Sequence, residues 1–182
     1  MEDMADSARE VLTLEPDADD PEVGRWLAAL QDARRDTIRE LEAVTPPMLD
    51  WRPPILLESI GTLLYHVALI EASWLWDEIL AGEEPPAWLD AELHVSDRDA
   101  TGRLTRVEGE PLERHLQRLE RIRSYLMERL RTMSNADFHT QRHLERYDVA
   151  PDWVIHHLLQ HEAEHRSHIA WVRDAYLVEH EG

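Results

Sequence analysis

The sequence predicts an all-α fold: a four-helix bundle with up-down-down-up topology and a long crossover between its second and third helices. Three observations carry this expectation. Apolar residues recur at helical spacing in four long segments, capping residues or prolines mark the segment ends, and strand-like alternation is almost absent.

Residues 1–19 are rich in Asp and Glu and lack sustained apolar periodicity, so they read as an acidic N-terminal arm; the bundle domain takes residues 20–182. Asp20 at a capping position and Pro21 at the first helical position open the first helix, with Val23, Trp26, Leu27, Leu30, Ile38, Leu41 and Val44 at helical spacing. Thr45-Pro46-Pro47 ends it. After a connector holding Trp51-Arg52-Pro53-Pro54, Ser59 caps the second helix, in which Ile60, Leu63, Leu64, Val67, Ile70, Trp74 and Leu75 share a face and Gly82 marks the stop. The link over residues 83–110 exceeds an ordinary helix connection, which predicts a crossover between two parallel neighbours.

Pro111 opens the third helix, whose Leu112, Leu116, Leu119, Ile122, Leu126, Leu130 and Met133 form an inward stripe amid alternating Glu and Arg. A polar connector over residues 134–150 leads to Pro151 and Asp152, and the fourth helix runs on to about Leu177.

Composition removes whole classes of chemistry. With no cysteine, any metal must use nitrogen or oxygen ligands. All 19 basic residues are arginines, so there is no lysine for a Schiff base or a P-loop. A formal net charge of −19, with arginines interleaved among acids, repels polyanions and argues against a nucleic-acid partner. No apolar run suits a membrane span and residues 1–20 lack the features of a signal peptide, so one soluble, cytoplasmic domain is expected.

The fourth helix places histidines where aliphatic residues are expected: its inward positions read Val154, His157 or Leu158, His161, His165, His168 or Ile169, Val172 and Tyr176. His161 and His165 are four apart, one turn apart on one face, and can chelate one ion. His66 lies on the flank of the second helix's stripe, where it can point toward the fourth. Three neutral imidazoles would leave coordination positions open. His157, four residues before His161, is a candidate fourth ligand or a group supporting the ligands, and Glu162 is a candidate for the same supporting role. His156 and His168 read as surface residues, and His94, His115, His139, His143 and His180 have no paired spacing.

Residues 161–165 also spell H-E-x-x-H, the zinc-hydrolase pattern in which the Glu is a general base. The metzincin extension needs Gly at 168 and His at 171, where His168 and Trp171 stand. A Glu-ligand subclass needs a carboxylate from a downstream helix, where only Glu179 and Glu181 follow.

The run Ser59-Ile60-Gly61-Thr62-Leu63-Leu64-Tyr65-His66-Val67, with Trp51-Arg52-Pro53 upstream and Trp153-Val154, His157-Leu158 and His161-Glu162-Ala163-Glu164-His165-Arg166 downstream, closely resembles the DinB-like superfamily over residues 21–177. Many members continue with Gly-Gln-Ile where this chain has Ser167-His168-Ile169. The resemblance implies that His66, His161 and His165 bind one divalent metal, zinc or nickel foremost, with iron and manganese as alternatives. It further implies a metal-dependent S-transferase or isomerase that uses a low-molecular-weight thiol of the mycothiol or bacillithiol type on an electrophile, and a homodimer. Arg52 and Arg166 are candidate contacts for a substrate carboxylate. The competing expectations are a non-catalytic metal-binding or stress-response bundle and, more remotely, the H-E-x-x-H zinc hydrolase.

Overall fold

A computed structural model of the chain describes residues 11–54 and 58–180; part of the acidic arm, residues 1–10, lies outside them. Helix α1 is Pro21–Leu41, and the Asp20 carboxylate accepts from the backbone N–H groups of Glu22 (2.8 Å) and Val23 (3.3 Å). Helix α2, Pro46–Asp50, is a short helix inside the expected connector, since Pro46 and Pro47 end one helix and are well suited to start another. Helix α3, Ile60–Ser73, starts at Ser59, whose Oγ accepts from the Thr62 N–H. It continues as a π-helical segment, Trp74–Ile79, and the chain turns at Gly82, where φ is +92°.

The crossover contains helix α4, Trp88–Glu92, and leads to α5, Leu112–Leu130. The third connector holds α6, Asn135–Phe138, and a two-residue antiparallel pair, β1 Arg142–His143 with β2 Asp148–Val149. Helix α7, Pro151–His180, extends three residues beyond the expected end. The all-α expectation holds, and no helix among the described residues is long and apolar enough to cross a membrane.

Helix α1 packs along α7, and α3 packs against both α5 and α7. Leu27, Leu30, Leu64, Leu75, Ile122, Leu126, Phe138, Ile155 and Ile169 are buried where these helices meet, each contributing on the order of 1.5–3 kcal/mol of transfer free energy. Two assignments differ from expectation. Ile38 is exposed, and the buried face of α7 runs through Val154, Ile155, Leu158, Glu162, Ile169 and Val172, which leaves His157, His161, His165 and His168 half-buried along its flank.

Each long helix also contributes a charged side chain to one group in the interior. Arg34 of α1, Glu71 of α3, Arg123 of α5 and Glu162 of α7 are all at most 4% exposed. Arg34 donates to Glu162 (2.5 Å) and Glu71 (2.8 Å), while Arg123 donates to Glu71 (2.7 and 2.8 Å) and Glu162 (2.7 Å). Their remaining donors reach the backbone carbonyls of Leu119 and Leu30. Two positive and two negative charges thus balance in a fully hydrogen-bonded group, the condition under which burying them is tolerable.

The crossover is fastened to α5 and α3. Buried Arg118 donates to the Glu92 carbonyl (2.8 Å) and to both Glu110 carboxylate oxygens (2.8 and 2.7 Å), and its guanidinium lies 4.7 Å from the centre of the Tyr65 ring. The Tyr65 hydroxyl accepts from Val95 N–H (2.9 Å) and donates to the Val95 carbonyl (3.2 Å). At the other end of the chain, Asp17 N–H donates to the Gly24 carbonyl and Asp19 N–H to that of Arg131, so this stretch before α1 is docked on the bundle. Gly24 permits that approach, because a Cβ there would lie 2.7 Å from Pro16 Cβ and 2.8 Å from the Asp17 nitrogen.

Candidate metal centre

Helical geometry puts His161 and His165 one turn apart on α7, and the packing of α3 against that flank brings His66 to them. One nitrogen from each of the three rings lies within 4.8 Å of the others. The Nε2 atoms of His66 and His161 are 3.1 Å apart, and the His165 ring centre is 4.9 Å from that of His66 and 4.4 Å from that of His161.

Zinc–imidazole bonds of about 2.0–2.1 Å in a tetrahedron set ligand nitrogens roughly 3.3 Å apart, so the closest pair already has ligand spacing. The donor set fits a divalent metal of borderline softness, and the absence of cysteine leaves imidazole as the natural ligand.

Electrostatics keep these rings neutral. Burial lowers the pKa of His66, against a raising influence from Asp97. Burial and then the neighbouring His165 and His66 push His161 down to about 3; burial, followed by His66 and His168, lowers His165 to about 4. At neutral pH all three therefore offer lone pairs without first losing a proton.

Asp97 is the residue that the sequence reading missed. Its Oδ1 lies 2.6 Å from His66 Nδ1, the nitrogen away from the cluster, so the carboxylate holds that proton and leaves Nε2 as the free acceptor. The segment around it is fixed on both sides: Thr105 N–H donates to the Asp97 carbonyl (2.9 Å), and Val95 is clamped by Tyr65, the neighbour of His66. Asp97 lies 31 residues from His66 and farther still from His161 and His165, within a crossover that reads as a linker. The only local signal is an acid-rich turn, Ser96-Asp97-Arg98-Asp99.

The other candidates lie elsewhere. The His157 ring stacks on Trp153 (centroids 5.4 Å apart, planes 6° apart), lies 4.5 Å from Trp74 and stands 6.0 Å from the His161 ring, outside the converging group. Glu162 turns away from the histidines, its carboxylate held by Arg34 and Arg123 and its pKa at about 2; burial alone would raise that value, but the two guanidiniums outweigh it. A hydrolase's Glu must face the metal's bound water, so the H-E-x-x-H zinc-hydrolase reading does not fit. Arg52 pairs with Glu58 (2.8 Å) and Arg166 with Asp36 on α1 (2.9 Å). His168, read as a surface residue, is half-buried with its Nδ1 3.4 Å from that of His165.

These features define a mostly helical protein with a candidate three-histidine metal site where α3 meets α7. Residues 29–169, most of the chain, match the DinB superfamily, and the chain belongs to that superfamily. The resemblance read from the second and fourth helices is thereby borne out. No curated protein matches the sequence.

Proposed function

We propose that this protein is a metal-dependent transferase that activates a low-molecular-weight thiol for attack on an electrophile, with His66, His161 and His165 as the ligands of one divalent metal. Zinc and nickel are the leading metals, with iron and manganese as alternatives. The observation that carries the proposal is the convergence of three neutral imidazoles on one point with Asp97 behind His66. A metal bound there supplies the Lewis acidity that favours the thiolate form of a thiol.

The chain's own residues perform the rest. Asp97 keeps the His66 proton on Nδ1, and Tyr65 holds the Asp97 segment in register. The half-buried setting of His161 and His165 leaves the centre approachable from the flank of α7, as a centre that must admit substrate requires. A thiol cosubstrate also accounts for the lack of cysteine, because the nucleophile comes from outside.

The same reading includes a bundle of α1, α3, α5 and α7 in up-down-down-up order, supported by the contacts of α3 with α5 and α7 and by the long crossover before α5. It also includes a cytoplasmic location, where small thiols are kept reduced, and a homodimer. The exposed Trp171 and Val178 on α7 offer that dimer an apolar face.

Elemental analysis of the protein purified without added metal, beside His66→Ala, His161→Ala and His165→Ala, tests the proposal. About one tightly held metal per chain, lost in all three variants, is expected, followed by activity in a screen of thiols against electrophiles. A metal-free wild type that also rejects added zinc and nickel would overturn the metal assignment. A loaded protein inactive across the screen would favour a non-catalytic metal-binding bundle.

A further inference from the structure

We propose that a cavity of about 760 Å³ beside the start of α7 is a binding site for a small organic cation with an aromatic or apolar body. None of the three converging histidines lines it, and its occupancy can be measured without any metal. Trp74, Trp153, Tyr147 and Val149 supply its apolar walls, and Asp148 and Asp152 supply its formal charges; no arginine lines it among the described residues. A volume of this size suits a small ligand.

The two indoles do not lie flat on one another. Their centres are 5.5 Å apart with planes inclined at 43°, and His157 stacks on Trp153 and lies 4.5 Å from Trp74, so a guest meets only the parts of the two rings that line the cavity. Trp153 is 50% exposed, so part of its ring is open to a guest. Indole faces attract cations more strongly than the other aromatic side chains do.

Carboxylates determine the sign of the guest. Asp148 contacts His143 through Oδ1 (2.9 Å), and the Tyr147 hydroxyl donates to Glu78 (2.5 Å), which adds a third acid at this wall. Asp152 Oδ1 accepts from the backbone N–H of Trp153, and Oδ2 faces His139, whose other nitrogen faces Glu22 (3.1 Å). The charges of Asp77 and Arg146 also reach Tyr147, and His157 lies against both indoles; were His139, His143 and His157 all protonated, Glu22, Asp77, Glu78, Asp148 and Asp152 would still outnumber them together with Arg146. An anion is therefore repelled, and a neutral aromatic leaves this field unused.

Titration calorimetry with benzyltrimethylammonium as the probe, against benzyl alcohol and phenylacetate, with and without chelator, tests the site. The cation is expected to bind about tenfold more tightly than the alcohol in both conditions, with no binding of phenylacetate. Trp153→Leu, at a half-exposed position, should weaken the cation by roughly fivefold to thirtyfold with its melting curve retained. Asp148→Asn should weaken it too, and decides the matter if the tryptophan variant melts early. Equal affinity for cation and alcohol, absence of cation binding at millimolar concentration, or affinity unchanged in the deciding variant would each overturn the proposal. Because the apo protein suffices, a failure here says nothing against the metal, and a failure of the metal leaves this result standing.

Discussion

Replacing Glu162 by Gln keeps the shape of the side chain and removes one of four interior charges. In the native group, Arg34 and Arg123 share Glu71 and Glu162 across all four long helices, and the Glu162 side chain is 2% exposed. The variant leaves two guanidiniums on one carboxylate, and the new amide presents a donor where the native oxygen accepted. Losing one partner from a buried ion group costs about 3–5 kcal/mol. The carboxyl itself gives a similar figure: titrating near 2 instead of 4.5, at about 1.4 kcal/mol per pH unit, it carries roughly 3 kcal/mol at neutral pH. Its folded pKa is depressed, so that stability is complete above pH 4.5 and is lost as pH falls through about 2. For a chain of this length the expected fall in Tm is roughly 6–20 °C. Urea unfolding at neutral pH, followed by circular dichroism, measures the loss directly. The double variant Arg123→Met/Glu162→Gln restores charge balance and should cost about 1.5 kcal/mol or more less than the sum of its singles. A Glu162→Gln loss below about 1 kcal/mol, or simple additivity in the double variant, would show that the four charges do not act as one group.

Three further outcomes follow from other contacts. Asp97→Asn should weaken metal binding by roughly tenfold to a hundredfold with little change in the melting of the chelator-treated protein, and unchanged affinity in a competition titration refutes its role behind His66. The chelator-treated protein should lose stability as pH falls from 6.5 toward 4.5, because burial holds His161 at about 3 and His165 at about 4 while the unfolded chain takes up protons near 6.5. A urea midpoint that falls equally in His161→Gln counts against this. Gly24→Ala should push the preceding segment off α1, speeding amide exchange at Asp17 and Asp19 while the core amides keep their protection; unchanged exchange at those two sites contradicts the close approach.

The pattern of apolar residues made the long helices legible, because Leu27 and Leu30, or Leu119, Ile122 and Leu126, must share a face to be buried together. The caps were legible for a local reason: Asp20 and Ser59 satisfy N–H groups only two or three residues away. The same pattern held a signal left unread. Arg34 follows Leu27 and Leu30 at inward spacing, and Glu162 follows Val154 and Leu158, so two charges occupied core positions in plain sight. Alternating Glu and Arg on the third helix suggests solvent, and only packing shows that Arg118 and Arg123 are buried while Glu120 and Arg121 are exposed. On the fourth helix Glu162 lies only about 60° from His165 and about 100° from His161, too close for periodicity alone to say which faces the core.

The sequence by itself determined the helices, the family resemblance, the absence of thiolate ligands and the one-turn spacing of His161 and His165, because each depends on residue type or on neighbours along the chain. Tertiary structure decided what depends on meetings between distant segments. It brought His66 within 3.1 Å of His161, placed Asp97 behind it from the crossover, turned Glu162 toward two arginines and set Trp74 beside Trp153. Those contacts rest on which faces of α3, α5 and α7 pack together, and helical periodicity specifies a buried face without naming its partner.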